Sequence, residues 1–258
     1  MRKAFYILAS SWFWFELFFS SALLFPAAIL IWVFSMPFDR RLFVLHRFSC
    51  IWSNIVFFLN PLWTVRVTGR GKIDPRKAYV MVSNHQSGAD ILVLFKLMIH
   101  FKWVSKWSLF WLPFIGWNMA MNRYIALKRG KKSSINRMVE KCTLVLKEGN
   151  SVMIFPEGTR SKDGNVQQFK TGAFRIALET GVPILPIAIC GTSRAIRKGG
   201  LMIHRNHDME VAILDPVPYS VFAGQDQKEV AAKVREIISS RVSSGTANPV
   251  RQVLSPPS

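Results

Sequence analysis

The chain has 258 residues, half of them hydrophobic, with 34 Lys and Arg against 15 Asp and Glu and a formal charge of +19. That length buries one sizeable core and leaves one or two domains open. A chain both oily and basic points to a bilayer surface; nucleic acid needs only a basic face, and the apolar N-terminus argues against it as the partner.

From Ala4 to Phe38 the only formal charge is Glu16. Residues 17–38 suffice to cross a hydrocarbon core, which takes about 20 apolar residues, and Pro26 can kink such a helix without breaking it. Arg2 and Lys3 ahead of this run imitate a signal peptide, but no small-residue cleavage site follows and retention is expected. A second apolar stretch, 48–65, follows Asp39, Arg40, Arg41 and Arg47. Residues 1–62 are therefore expected to form a membrane-associated helical hairpin that spans the bilayer or lies in its interface.

Beyond Pro61 short β-rich runs alternate with helical ones, the texture of an α/β domain over 63–242. Strands are expected at 63–68, 78–83, 151–155, 183–189 and 209–214. Helices are expected at 133–147, with Ser133 or Ser134 as N-cap, at 171–180, closed by Gly181, and at 227–242. The tail 243–258 is expected to be disordered. Between Asp90 and Glu140 there is no acid but nine Lys and Arg, so that stretch should face something anionic. Cys50, Cys142 and Cys190 fit no disulfide or zinc spacing and read as buried or membrane-facing thiols.

The segment Ser83-Asn84-His85-Gln86-Ser87-Gly88-Ala89-Asp90 ends a strand in polar residues and opens a helix. Residues five apart diverge on a continuous helix, so the two can pair only with His85 in the turn and Asp90 in the first helical turn. A carboxylate on one ring nitrogen fixes the tautomer and leaves the other nitrogen to accept a hydroxyl proton. Taken singly, Asp90 would be an acid at a helix N-terminus and His85 a structural histidine. A second strand end carries Phe155-Pro156-Glu157-Gly158-Thr159-Arg160. There Gly158 can supply a positive φ, Arg160 a fork of donors for phosphate, and Glu157 an acceptor for a hydroxyl or a brace for that arginine. His204, His207 and Asp208 offer ligand types for a metal, but two histidines three apart in a basic loop are weak support and solvated residues are favoured. Gly191-Thr192-Ser193-Arg194 approximates a nucleophile elbow, yet no acid lies between Ser193 and His207, which breaks the serine, acid, histidine order.

The Asn-His-x4-Asp and Phe-Pro-Glu-Gly-Thr-Arg blocks, in this order, resemble those of the glycerolipid acyltransferase family, which includes the lysophosphatidic acid acyltransferases. Tyr124 to Arg129 and Gly181 to Pro186 are similar to two further blocks, and the resemblance covers about residues 60–215. It implies a mixed α/β sheet flanked by helices and an O-acyltransferase that moves a fatty acyl group from acyl-CoA or acyl carrier protein to the sn-2 hydroxyl of 1-acyl-sn-glycerol 3-phosphate, giving phosphatidic acid. It also implies His85 as base and Asp90 as its orienter, with Glu157, Gly158, Thr159, Arg160 and Arg129 at the substrate. Lys106 and Lys170 sit where related chains carry basic residues. No metal or resident cofactor is expected, and the implied location is the inner membrane with the site near its cytoplasmic face. Two alternatives stand beside this reading: another lysolipid acceptor, such as a lyso-aminolipid, and a non-enzymatic basic membrane protein.

Overall fold

The structure is a computed structural model that describes residues 2–246. In chain order the elements are α1 (Arg2–Ser35), α2 (Phe43–Leu59), β1 (Trp63–Thr68), β2 (Val80–Ser83), α3 (Ala89–Phe95), β3 (Lys102–Lys106), α4 (Ile115–Met121), β4 (Ile125–Leu127), α5 (Lys132–Lys147), β5 (Val152–Ile154), α6 (Gly172–Thr180), β6 (Ile184–Cys190), β7 (Asn206–Ile213), α7 (Tyr219–Phe222) and α8 (Gln227–Thr246). Among the described residues seven strands form one sheet in the order β1-β7-β6-β2-β5-β3-β4. Only β6 and β7 pair antiparallel, so the sheet is mixed, as expected.

Central strands buried on both faces read as continuous apolar runs, and their period of two sends alternate residues into two cores. Met81, Leu185, Ile187 and Ile189 enter one core with residues of α1, α2 and α3. Val80, Val82, Ile184 and Ala188 enter the other, with α5, α6 and α8. Helices thus cover both faces.

The N-terminal helix starts earlier than hydropathy alone suggested and runs unbroken through Pro26, 34 residues in all. At 1.5 Å per residue that is about 50 Å. Phe13, Glu16, Ser20, Ser21 and Ala28 are buried, while Leu8, Phe15, Leu23, Leu30 and Phe34 remain more than half exposed. By length and composition this helix can cross a bilayer. The second helix lies at Phe43–Leu59 rather than 48–65, because residues 63–65 are already strand. Arg47 sits inside this helix, held by the Met98 carbonyl at 2.6 Å, and Trp52 Nε1 donates to Ser20 Oγ of α1 at 3.1 Å.

Strands β3 and β4 escaped the hydrophobic pattern. The former begins and ends in lysine, and the latter has three residues. Lys102, counted among cations facing an anionic partner, is instead 3% exposed, and its ammonium donates to the carbonyls of Arg41 (2.8 Å) and Asn122 (2.9 Å). Burial lowers its pKa to about 8. Those bonds tie the α1–α2 connection to the sheet, and the Arg41 guanidinium adds bonds to Gly149 and Asn150. Neither Ser133 nor Ser134 caps α5, which starts at Lys132; the Ser134 hydroxyl accepts the Lys128 N–H instead, at 2.9 Å. The α6 helix ends on Gly181 at φ 69°, as its sequence implies. The last helix continues past Val242 to Thr246, so the expected disordered tail is helical at its start, and 247–258 lies outside the described residues. All three cysteines are buried and free.

Candidate active site

The polar residues after β2 form a tight turn into α3, which places Asp90 in the first helical turn beneath His85. His85 Nδ1 lies 2.7 Å from Asp90 Oδ2. The same oxygen accepts the N–H groups of Gln86 (2.6 Å) and Ser87 (2.8 Å), so the carboxylate closes the turn that carries the histidine. With two backbone N–H groups already donated to it, this buried oxygen accepts from the ring as well, so Nδ1 carries the proton. Nε2 makes no hydrogen bond to protein among the described residues, which leaves its lone pair available. The ring is stacked on Phe155 at 4.1 Å between centroids, and Phe155 packs on Trp103 at 5.6 Å.

The block after β5 lies against this turn. Gly158 adopts φ 70°, and the Ser161 N–H donates to the His85 carbonyl at 2.7 Å. Glu157 is 4% exposed and forms no ion pair with Arg160; its Oε1 accepts the His85 backbone N–H at 2.8 Å, and its Oε2 is buried without a partner. It therefore braces the loop that carries the base rather than the arginine. Burial pushes its carboxyl up to about 7, against the lowering effect of that N–H. A carboxyl raised from 4.5 contributes stability in full below pH 4.5, and that contribution is lost as pH climbs to about 7. Glu157→Gln should remove this dependence. Its thermal midpoint relative to the unsubstituted protein should climb between pH 4.5 and 7, by the equivalent of about 3 kcal/mol, and stay level on either side; a constant difference in melts across pH 4–8 would refute the shift.

The two predicted arginines converge. Arg129 is held below the ordinary guanidinium value by desolvation and then by the like charge of Arg160. Neither forms a salt bridge among the described residues, and Arg160 Nη1 stands 3.6 Å from where a Cβ at Gly88 would lie. Two adjacent unneutralised guanidiniums beside the histidine turn make a place for a dianion. Lys170 is exposed, its ammonium packed over Gly158, where a Cβ would approach to 2.9 Å. Thr159 is exposed, and Lys106 is exposed at the end of β3. No group of three or more His, Cys, Asp or Glu among the described residues could hold a metal; the side chains of His207 and Asp208 lie outside them.

Beside the dyad an apolar cavity of about 440 Å³ runs between α1, α2, α3 and α4. Its lining includes Phe13, Leu17, Phe25, Trp52, Leu92, Phe114 and Met119, together with Gly88, Trp103 and Arg160 from the polar site. The volume lies within the range of ligand pockets, roughly 300–1,000 Å³. Sequence reasoning found the charged residues but not this cavity, because about a third of its wall comes from helices read only as membrane anchors. It also missed Thr192, whose hydroxyl donates to Asp90 Oδ1 at 2.5 Å.

The family model described as Acyltransferase matches residues 64–190. A chloroplastic 1-acyl-sn-glycerol-3-phosphate acyltransferase, BAT2 of Brassica napus, is 38% identical over 186 residues, which is 71% of this chain and 54% of the relative. The chain thus spans about half the length of the plant relatives it matches. The 1-acyl-sn-glycerol-3-phosphate acyltransferase of Haemophilus influenzae is 30% identical over 71% of this chain and 77% of its own. A crystal structure of the 1-acyl-sn-glycerophosphate (LPA) acyltransferase PlsC from Thermotoga maritima superposes with a TM-score of 0.78 at 26% identity, covering 96% of this chain and 99% of that one.

Proposed function

Because this chain belongs to the 1-acyl-sn-glycerol-3-phosphate acyltransferase family, we propose that it transfers a fatty acyl group from an acyl thioester to the sn-2 hydroxyl of 1-acyl-sn-glycerol 3-phosphate. The observation that carries this reading is the convergence of a carboxylate-held imidazole, two unneutralised arginines and an apolar cavity. The acceptor's phosphate rests on Arg160 and Arg129. Its free hydroxyl meets His85 Nε2, which takes the proton as oxygen attacks the thioester carbonyl. The resulting imidazolium, stabilised by Asp90, returns that proton to the departing thiolate sulfur, so the reaction closes without a covalent acyl-enzyme. An acyl chain fits the cavity, whose walls replace water along its length.

The donor is acyl-CoA or an acylated carrier protein, and the enzyme works at a membrane, its exposed aromatic α1 face in lipid. The excess of cations near the site matches the anionic cytoplasmic leaflet of a cell membrane, each cation adding about 1 kcal/mol of attraction.

Detergent-solubilised protein offered both donor types and a panel of lysolipids should make phosphatidic acid from lysophosphatidic acid. No product from that acceptor, with product from a lyso-aminolipid, would reassign the substrate. Arg160→Ala should lower kcat/KM for lysophosphatidic acid roughly 10–100-fold, the worth of one charge-assisted hydrogen bond. It should barely affect any acceptor without a phosphate, and an equal loss for both would remove Arg160 from the phosphate site.

A further inference from the structure

We propose that Thr192 is a positioning residue for the catalytic pair: its hydroxyl fixes the rotation of the Asp90 carboxylate, which in turn fixes the His85 imidazole. The proposal rests on the acyl-transfer reading above.

Asp90 and Thr192 are both fully buried. Asp90 Oδ2 takes three donors, from His85, Gln86 and Ser87, whereas Oδ1 takes one among the described residues, the Thr192 hydroxyl at 2.5 Å. Rotation about the last bond of an aspartate is soft, so an anionic oxygen left without a donor turns to find one. That turn would draw Oδ2 off the axis to Nδ1. The sheet delivers the threonine to its place. Strands β2 and β6 run parallel side by side, one leading to His85 and the other to Thr192. Just past β2 they are locked together by Asn84, whose amide donates to the Ile189 carbonyl and accepts the Ile189 N–H, both at 2.8 Å. Gly191, at φ 81°, then turns the chain into the short helix that Thr192 begins. In the Gly-Thr-Ser stretch that resembles a nucleophile elbow, the threonine therefore reaches the catalytic pair. Ser193 makes no hydrogen bond to His85 or Asp90 among the described residues.

Thr192→Val removes the hydroxyl at nearly constant shape, and Thr192→Ser keeps it. With lysophosphatidic acid and one fixed donor, Thr192→Val should lose roughly 10-fold or more in kcat with KM within about twofold, and Thr192→Ser should stay near the unsubstituted rate. The acidic limb of kcat/KM against pH should move to lower pH in Thr192→Val, because a carboxylate turned off the axis to Nδ1 holds the imidazolium less tightly. Three outcomes overturn the proposal: a folded Thr192→Val with unchanged kcat, a loss of kcat without displacement of the limb, or a Thr192→Ser as impaired as Thr192→Val. His85→Ala in the same preparation separates the two levels. If it stays active the acyl-transfer reading fails, whereas an inactive His85→Ala beside an unaltered Thr192→Val sinks only the role of Thr192.

Discussion

His85→Ala should abolish acyl transfer to within about 10²–10⁴-fold of the unsubstituted kcat while leaving the protein folded and able to bind lysophosphatidic acid. The range is that of a positioned general base. Folding should survive because the contacts holding this turn together are made by its backbone and by Asp90: the Glu157 carboxylate on the His85 N–H, the His85 carbonyl on the Ser161 N–H, and the two amides on Asp90. The imidazole itself contributes one bond to Asp90 and a stacked face on Phe155. Binding should survive because the phosphate is assigned to Arg160 and Arg129, whose guanidiniums do not depend on the ring. The measurement is steady-state kinetics together with acceptor binding to the purified variant. A kcat within about threefold of the original would exclude His85 as the base, and a loss confined to KM would move it to the binding surface.

The sequence made the charged half of this site readable because its chemistry is local. Five positions separate His85 from Asp90, a spacing that works only across a strand end and a first helical turn, and the chain is built so. Arg160 follows a glycine that needs positive φ, and that glycine sits at φ 70°. What stayed hidden depends on distant parts of the chain meeting. Glu157 reads as a partner for a ligand or for Arg160, since nothing in its neighbourhood names the His85 N–H, 72 positions away, as its acceptor's donor. The Thr192 hydroxyl reaches Asp90 over 102 positions, and only the β2–β6 pairing brings them together. The cavity was invisible for the same reason: Phe13 and Phe25 look like membrane residues, and Leu92 and Met119 like core, until α1 packs across the sheet. Strands β3 and β4 failed the pattern because lysines bound the one and the other is too short to show a period.

Asp90→Asn should also be damaging, by about 10–10³-fold in kcat, and for an electrostatic rather than a geometric reason. The site chooses the orientation of the new amide. Its carbonyl must take the Oδ2 position, since a donor there would meet the N–H groups of Gln86 and Ser87 and the Nδ1 proton at 2.6–2.8 Å. The amide nitrogen then faces Thr192, whose hydroxyl can accept from it and turn its own proton towards Gln86 Oε1, 3.4 Å away. Every polar atom finds a partner, the turn keeps its shape, and His85 keeps its proton on Nδ1. What disappears is the negative charge 2.7 Å from a ring that becomes an imidazolium as the hydroxyl attacks. An adjacent carboxylate typically shifts such a group by about 1–3 pKa units, at ~1.4 kcal/mol per unit, which sets the expected loss. Without that charge the imidazolium forms less readily, so the acidic limb of the pH–rate profile should move to lower pH, further than in Thr192→Val, where the carboxylate remains. An Asp90→Asn protein that melts like the original, works slowly and retains its residual rate further into acid meets the prediction. A limb that does not move would mean that Asp90 merely holds the turn closed.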